Sequence, residues 1–421
     1  MYHHRMTTST NPTPTQTPAQ CPVDHAALGD RKTSREPVRS SPPLERDAAG
    51  VWQVRGFHEV RAVLRSDATR QAGFGADQIA KMPATMREPV LHMEGQTHHE
   101  LRTKTARFFT PATTDKQYRA LMERLSDDLI ATFQRQGRAD LSELSMRLAV
   151  SVAAQIVGLT NPRWPGMSKR IERMVQTDLD PTPSTFQRWA RFLTSQANLL
   201  AFWVLDVQPA INARRKQPRE DVISHVLSEG YSSPEILSEC VTYGAAGMVT
   251  TREFISVAAW HLLEQPRLKA RYLIASEAER HAILGEILRL EPVVGTLKRR
   301  AINDLSVESD EQTITIPAGA LIELHVYGAN ADETTVGACP HQLQPDRSLP
   351  RNVQPSVMSF GDGHHRCPGS FVALQESDVF LRKLLALPKL RIERAPDLGW
   401  NANVKGYELR NFILSIVSEG S

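Results

Sequence analysis

The run from Ser233 to Leu263 constrains the fold more than any other stretch. Ser233 suits a helix N-cap, Pro234 the first helical position, and Glu235 the positive end of the helix dipole. Apolar residues then recur to Leu263, and Pro266 follows the end. About 30 residues at 1.5 Å each make a helix of roughly 45 Å. Apolar spacings of three and four predict further helices over 98–109, 117–136, 140–158, 184–216, 267–276, 278–291 and 370–387. Residues 51–66 read as a short strand, a turn at Gly56 and an amphipathic helix. TITIP and LIELHV within 297–326 alternate like strands, and the last thirty residues mix strand and turn signals. Residues 70–97, with Gly73, Gly75, Pro83, Pro89 and Gly95, read as a long loop, and such loops are often functional. The fold class is mainly α with a minor β-sheet region. Residues 1–22, rich in Ser, Thr, Pro and Gln, read as a disordered tail in which His3 and His4 are solvated, and residues 23–421 as a single domain.

Composition excludes several functions. The chain has 50 Lys and Arg against 47 Asp and Glu, a net charge of +3, too near balance for a nucleic-acid or other polyanionic partner. No apolar run reaches about 18 residues, so no membrane span is expected, and the start has no apolar core for a secretory signal. Cys21, Cys240, Cys339 and Cys367 form no CxxC pair, which argues against a zinc site or a disulfide framework and for the cytoplasm.

The chemistry concentrates in MSFGDGHHRCPGSFVALQE (358–376). Gly361, Gly363 and Gly369 surround Cys367, and glycines allow positive φ and close approach to a flat ligand. Such a turn directs N–H groups at the sulfur, and the following helix adds its positive end, so a thiolate able to ligate haem iron is favoured. Phe360, Gly361, Gly363, His365, Cys367 and Gly369 have the spacing F-G-x-G-x-H-x-C-x-G, which resembles the haem-ligand loop of cytochromes P450. The resemblance covers about residues 23–421. It implies a single-domain cytochrome P450 fold and a haem b cofactor, with Cys367 as axial metal ligand, Phe360 beside the sulfur and His365 at a propionate. Glu376 matches the acid common in the helix after the ligand.

Other fragments extend the resemblance. GEILRLEP supplies Glu286 and Arg289, three apart on one helix face, and Arg347 in HQLQPDR matches the arginine that completes a structural network behind the haem. His98 and Arg102 in HHELR resemble the propionate-binding H-x-x-x-R, and Arg299 in TLKRRAIND, rather than Arg300, matches a further propionate-binding arginine. GAAGMVTTREF (244–254) resembles the oxygen-activating segment A-G-x-acid-T-T, with Thr250 as the hydroxyl that meets dioxygen and its water, and Thr251 beside it. Gly244 and Gly247 each cost a helix about 1 kcal/mol relative to Ala, which points to close approach or a local opening of the backbone.

Two positions depart from the family pattern. Val249 stands at the acid position, so a water chain, Glu253 or the substrate must supply the proton. Pro368 follows the ligand cysteine and has no N–H, which leaves more electron density on the sulfur. The resemblance implies a monooxygenase inserting one oxygen atom from dioxygen into a lipophilic small molecule. Phe74, Met86, Val90, Gly247, Val249, Val293 and Val294 are its expected substrate pocket, with Met82, Trp189 and Phe192 as further candidates. Arg87 or Arg252 would be the cation for a carboxylate. Electrons are expected from a ferredoxin and its reductase, docking near His364, Arg366 and Lys383. The rival readings are a peroxide-driven or atypical cytochrome P450 and a non-catalytic haem-binding protein.

Overall fold

The computed structural model describes residues 29–33, 41–83, 85–175, 185–401 and 405–416. The expected tail 1–22 lies outside them.

The long helix starts one residue earlier than expected. Ser232 is the N-cap, and its side chain forms a reciprocal capping box with Glu235, which leaves Pro234 inside the first turn. The helix runs Ser233–Tyr243, opens into a π-helical segment over Gly244–Val249, and resumes as Thr250–Glu264. The two glycines therefore mark an opening of the backbone. Beyond it the helix is buried almost all round, packing on the helices Leu141–Val157 and Ser370–Leu385. The helices Gly95–Ala106, Arg119–Gln136 and Glu277–Leu290 lie close to the expected ranges. Two short helices, Met167–Val175 and Val222–Ser228, have no counterpart among the expected ranges. The loop 70–97 is less irregular than expected: it holds the end of the strand Thr69–Gln71 and a short helix, Ala76–Ile79.

The minor β content divides into small sheets. The largest has five strands in the order Leu44–Arg46, Trp52–Val54, Leu321–His325, Thr296–Ala301, Thr69–Gln71. Its alternation places Leu324 and Ala301 in a second apolar core with Phe57, Val60 and Val63 of the helix Phe57–Arg65. The same sheet fixes Arg299 opposite Ile322 on one side and Gln71 on the other.

Candidate functional site

The cysteine loop is built by backbone geometry. Gly361 and Gly363 have φ of 67° and 65°, the left-handed region that other residues adopt at a cost. Cys367 N–H donates to the Phe360 carbonyl at 2.9 Å, and Gly361 N–H to the Met358 carbonyl at 2.8 Å. Asp362 ties the loop to the helix Phe57–Arg65 through Arg61 and Arg65. Gly363 packs so tightly on Leu64 that a methyl group there would overlap its carbonyl oxygen. Gly363→Ala is therefore expected to lower stability by on the order of 2–3 kcal/mol, from overlap plus left-handed strain, read as a fall in the thermal midpoint.

Burial pushes the Cys367 thiol up. The Gly369 N–H, Arg102 and Arg366 pull it the other way. Pro368 thus removes one donor from the turn but leaves the next amide directed at sulfur. The residue keeps partial exposure where it faces a cavity of about 280 Å³.

That cavity gathers most of the residues singled out in the sequence. Cys367, Phe360 and Gly369 line it from the loop, His98 and Arg102 from the helix Gly95–Ala106, and Arg299 from the sheet. His365 lines it too, stacked on His98 with ring centroids 4.1 Å apart. Gly247, Thr250 and Thr251 supply the wall on the long helix, and Phe74, Val90, Val293 and Val294 an apolar wall. The loop bearing Val90 is fastened to the long helix, because the Val90 and Arg87 N–H groups donate to Glu239 and Glu235 at 2.9 and 2.8 Å.

Other expected residues fall outside the cavity lining. Val249, the last residue of the π segment, is half-buried and packs on the main core. Met86 and Met82 are half-buried in the loop but do not line the cavity. Trp189 is 66% exposed on the helix Thr185–Phe202, which excludes it from a pocket wall; the Phe192 side chain lies outside the description. Arg252 is buried against Glu172 and Glu253, and Arg87 covers the Tyr231 ring, so neither offers a cation to the cavity. The proposed docking cations also differ. Lys383 is paired with Glu123 and Asp127, and His364 with Asp67, whereas Arg366 is exposed beside a groove of about 800 Å³ that also reaches Cys367.

Glu253 is corrected as a proton source. Its Oε1 accepts from Arg252 and from Arg410 at 2.7 Å, and its Oε2 from the Leu409 N–H at 2.7 Å. A carboxylate so fully bonded is structural. Glu376 is the acid that faces the cavity. It is 3% exposed, its Oε2 has no hydrogen-bond partner, and burial holds its carboxyl far above the usual range, the Thr251 hydroxyl offsetting this only in part. Thr251 and Thr250 donate to the Gly247 and Ala246 carbonyls at 2.8 and 2.6 Å, which closes off backbone acceptors next to the π segment.

The charge distribution indicates what the cavity can hold. Arg102 and Arg299 are both lowered by burial, and the only carboxylate paired with either among the described residues is Glu94, on Arg299. Arg102 otherwise donates to the Arg366 carbonyl. His98, lowered to about 4 by burial, is neutral at pH 7, and its Nε2 is buried without a partner. Two guanidiniums lining a largely apolar cavity together with a cysteine sulfur and glycine backbone suit a flat apolar group carrying carboxylates.

The network Glu286–Arg289–Arg347 lies behind the loop. Glu286 accepts from Arg289 at 2.7 and 2.8 Å and from Arg347 at 3.3 Å.

Residues 281–395 match the family profile described as Cytochrome P450. The chain is 27% identical over 369 residues to the biotin biosynthesis cytochrome P450 of Bacillus subtilis, covering 83% of this chain and 85% of the relative. It is 26% identical over 379 residues to the mycinamicin IV hydroxylase/epoxidase of Micromonospora griseorubida, covering 85% and 86%. Its fold matches the structure of P450BioI in complex with an acyl carrier protein ligated to hexadec-9Z-enoic acid, with a TM-score of 0.71, 22% identity and coverage of 89% and 95%.

Proposed function

The chain belongs to the cytochrome P450 family and is a haem-dependent monooxygenase, and from that premise we propose that Cys367 ligates haem b and that the substrate is a lipophilic small molecule. The observation that carries this reading is the convergence of Cys367, Arg102, Arg299, Thr250 and Thr251 on one largely apolar cavity. Bound there, haem supplies the reductive activation of dioxygen. Arg102, Arg299, His98 and His365 hold its carboxylates, and Phe360 packs beside the sulfur.

Phe74, Val90, Val293 and Val294 present hydrocarbon to the substrate and exclude water. With Arg87 and Arg252 engaged elsewhere, a neutral substrate fits better than a carboxylate. Electrons come from a ferredoxin and its reductase, docking beside Arg366, and the enzyme works in the cytoplasm. Among the described residues, no helix is long and apolar enough to cross a membrane. Residues 23–421 act as one catalytic domain.

Proton supply distinguishes this chain from the acid-bearing pattern of its family. Glu376, whose carboxyl is pushed up by burial, supplies the proton by way of the Thr251 hydroxyl, which lies with Thr250 in the cavity wall. Glu376→Gln is expected to keep haem content while the product-forming rate falls by on the order of 10²-fold. Reductant consumption then continues without matching product. The sign for stability is opposite. A carboxyl raised on folding favours the unfolded chain as pH rises above the ordinary carboxylate value, so Gln should be more stable than Glu at pH 7. Equal coupling in the two proteins would remove Glu376 from proton supply.

The overall test is the spectrum of haem-loaded, reduced protein under carbon monoxide, followed by product analysis with reductant and redox partners in parallel with hydrogen peroxide. A thiolate-type Soret band and partner-driven product are expected. Product from peroxide alone would favour the peroxide-driven alternative, and no product in either arm a non-catalytic haem protein.

A further inference from the structure

Glu94 is a carboxylate that none of the sequence motifs uses. It is the N-cap of the helix Gly95–Ala106, yet its side chain makes no capping hydrogen bond. It gives up that role to reach the cationic end of the cavity. Its Oε1 accepts from Arg299 Nη1 at 3.1 Å and from the Gln71 N–H at 2.6 Å, and its Oε2 lies 3.0 Å from His365 Nε2. Arg299 is 3% exposed, and Glu94 is its only paired anion among the described residues. Glu94 therefore satisfies the same two side chains that the proposed function assigns to a haem carboxylate.

We infer that Glu94 is a built-in competitor for the anionic edge of haem: it pairs with Arg299 and His365, the side chains that a propionate needs, and so weakens the hold on haem. This rests on the haem reading of the cavity. The charges support it, since Arg102 and Arg299 are the guanidiniums that line the cavity for two incoming carboxylates, and Glu94 already claims Arg299. A carboxylate that stayed in place would lie beside a propionate in a partly desolvated site, where like charges repel strongly. The geometry also offers Glu94 an exit. Its side chain is 30% exposed, and it borders an outer cleft of about 430 Å³, so a displaced carboxylate can turn to solvent. Glu94 thereby limits haem retention, and the helix N-terminus it neglects becomes available to it once displaced.

The test uses haem-loaded full-length protein and excess apomyoglobin, with haem transfer followed in the Soret region. Glu94→Gln removes the charge and keeps the shape. It is expected to slow transfer about tenfold, the size of an interaction worth one pKa unit. Glu94→Asp, one methylene shorter and a good N-cap, is expected to slow it too, because it cannot span the distance to both partners. Haemin titration of the haem-free proteins should show tighter uptake in the same order. Transfer from the Gln variant at the wild-type rate or faster would overturn the inference and make Glu94 a support for Arg299. Failure of the wild-type protein to take up haemin at all would instead overturn the reading of the cavity, and circular dichroism of each variant separates both results from misfolding.

Discussion

Replacing Cys367 by alanine is expected to leave a folded chain that no longer shows a thiolate-type Soret band when reduced under carbon monoxide, and that forms no product above background. Two features make the fold insensitive and the chemistry sensitive. The loop is held by the Phe360 and Met358 carbonyls, the positive-φ glycines and Asp362, none of which needs the sulfur. The side chain also faces the cavity it lines, so truncation opens no new hole in the core. Cys240 does not substitute, because it is fully buried in the long helix and burial pushes its thiol far up. The turn, by contrast, opposes the desolvation of Cys367 with the Gly369 amide and the Arg102 and Arg366 charges, an arrangement that favours the anion once a metal cation arrives. Losing a partner one shell from a metal costs roughly 10–100-fold, so loss of the ligand itself should exceed that. Cys367→Ser keeps the shape with a weaker donor and should retain some haem without the thiolate spectrum. An unshifted Soret band in Cys367→Ala would place the ligand elsewhere.

The parts of this site that could be read in the sequence are local, and those that could not are long-range. The glycine-flanked Cys367 and the i, i+3 pair Glu286–Arg289 announce themselves because spacing within one turn or one helix turn fixes which side chains meet. Gly244 and Gly247 signalled either a close approach or an opened helix for the same reason, through the local cost of glycine, and the structure shows the opening. Spacing does not show what distant chain brings to a residue. Glu253 looked available beside Thr250, but Arg410 and the Leu409 amide, more than 150 residues away, claim it. Val249 looked like cavity wall, but it packs on the main core at the end of a π segment, whose angular step differs from that of an α-helix. Glu94 carried no motif at all. Its position depends on Gln71 and Arg299 being neighbours in a sheet whose pairing joins strands more than 200 residues apart. The helix after the cysteine did place Glu376. Its lack of solvent, which pushes its carboxyl up, follows only from packing.

Arg289→Met is expected to be the most destabilising of the substitutions considered. Arg289 is 1% exposed and its guanidinium is fully used: both Glu286 oxygens, the Asn330 and Pro340 carbonyls at 2.8 and 2.7 Å, and the Gln342 carbonyl at 3.3 Å. Methionine fills much of the volume but supplies no donor. It leaves a carboxylate that is itself 2% exposed with only the Gln344 N–H at 2.9 Å and Arg347 at 3.3 Å, and it abandons two buried carbonyls. Breaking one partner of a buried pair costs about 3–5 kcal/mol, a large share of the 5–15 kcal/mol by which domains are stable. Arg347 cannot rescue it, since its guanidinium already serves the Val336, Cys339 and Gln342 carbonyls and meets Glu286 only at 3.3 Å. The damage should spread to the site, because Asn330 links Arg289 to the cysteine loop: its side chain donates to the Arg289 carbonyl and the Ser359 hydroxyl, and accepts from the Met358 N–H. Urea denaturation should therefore show a lower midpoint, accompanied by loss of haem retention. Arg289→Lys keeps the charge without the fork and should recover only part of the loss. The double variant Arg289→Met, Glu286→Leu removes the stranded charge and should be more stable than Arg289→Met alone, which separates the cost of an unpaired carboxylate from that of lost packing. If the double variant proved no more stable than the single one, the carbonyl contacts rather than the ion pair would be what holds this part of the chain together.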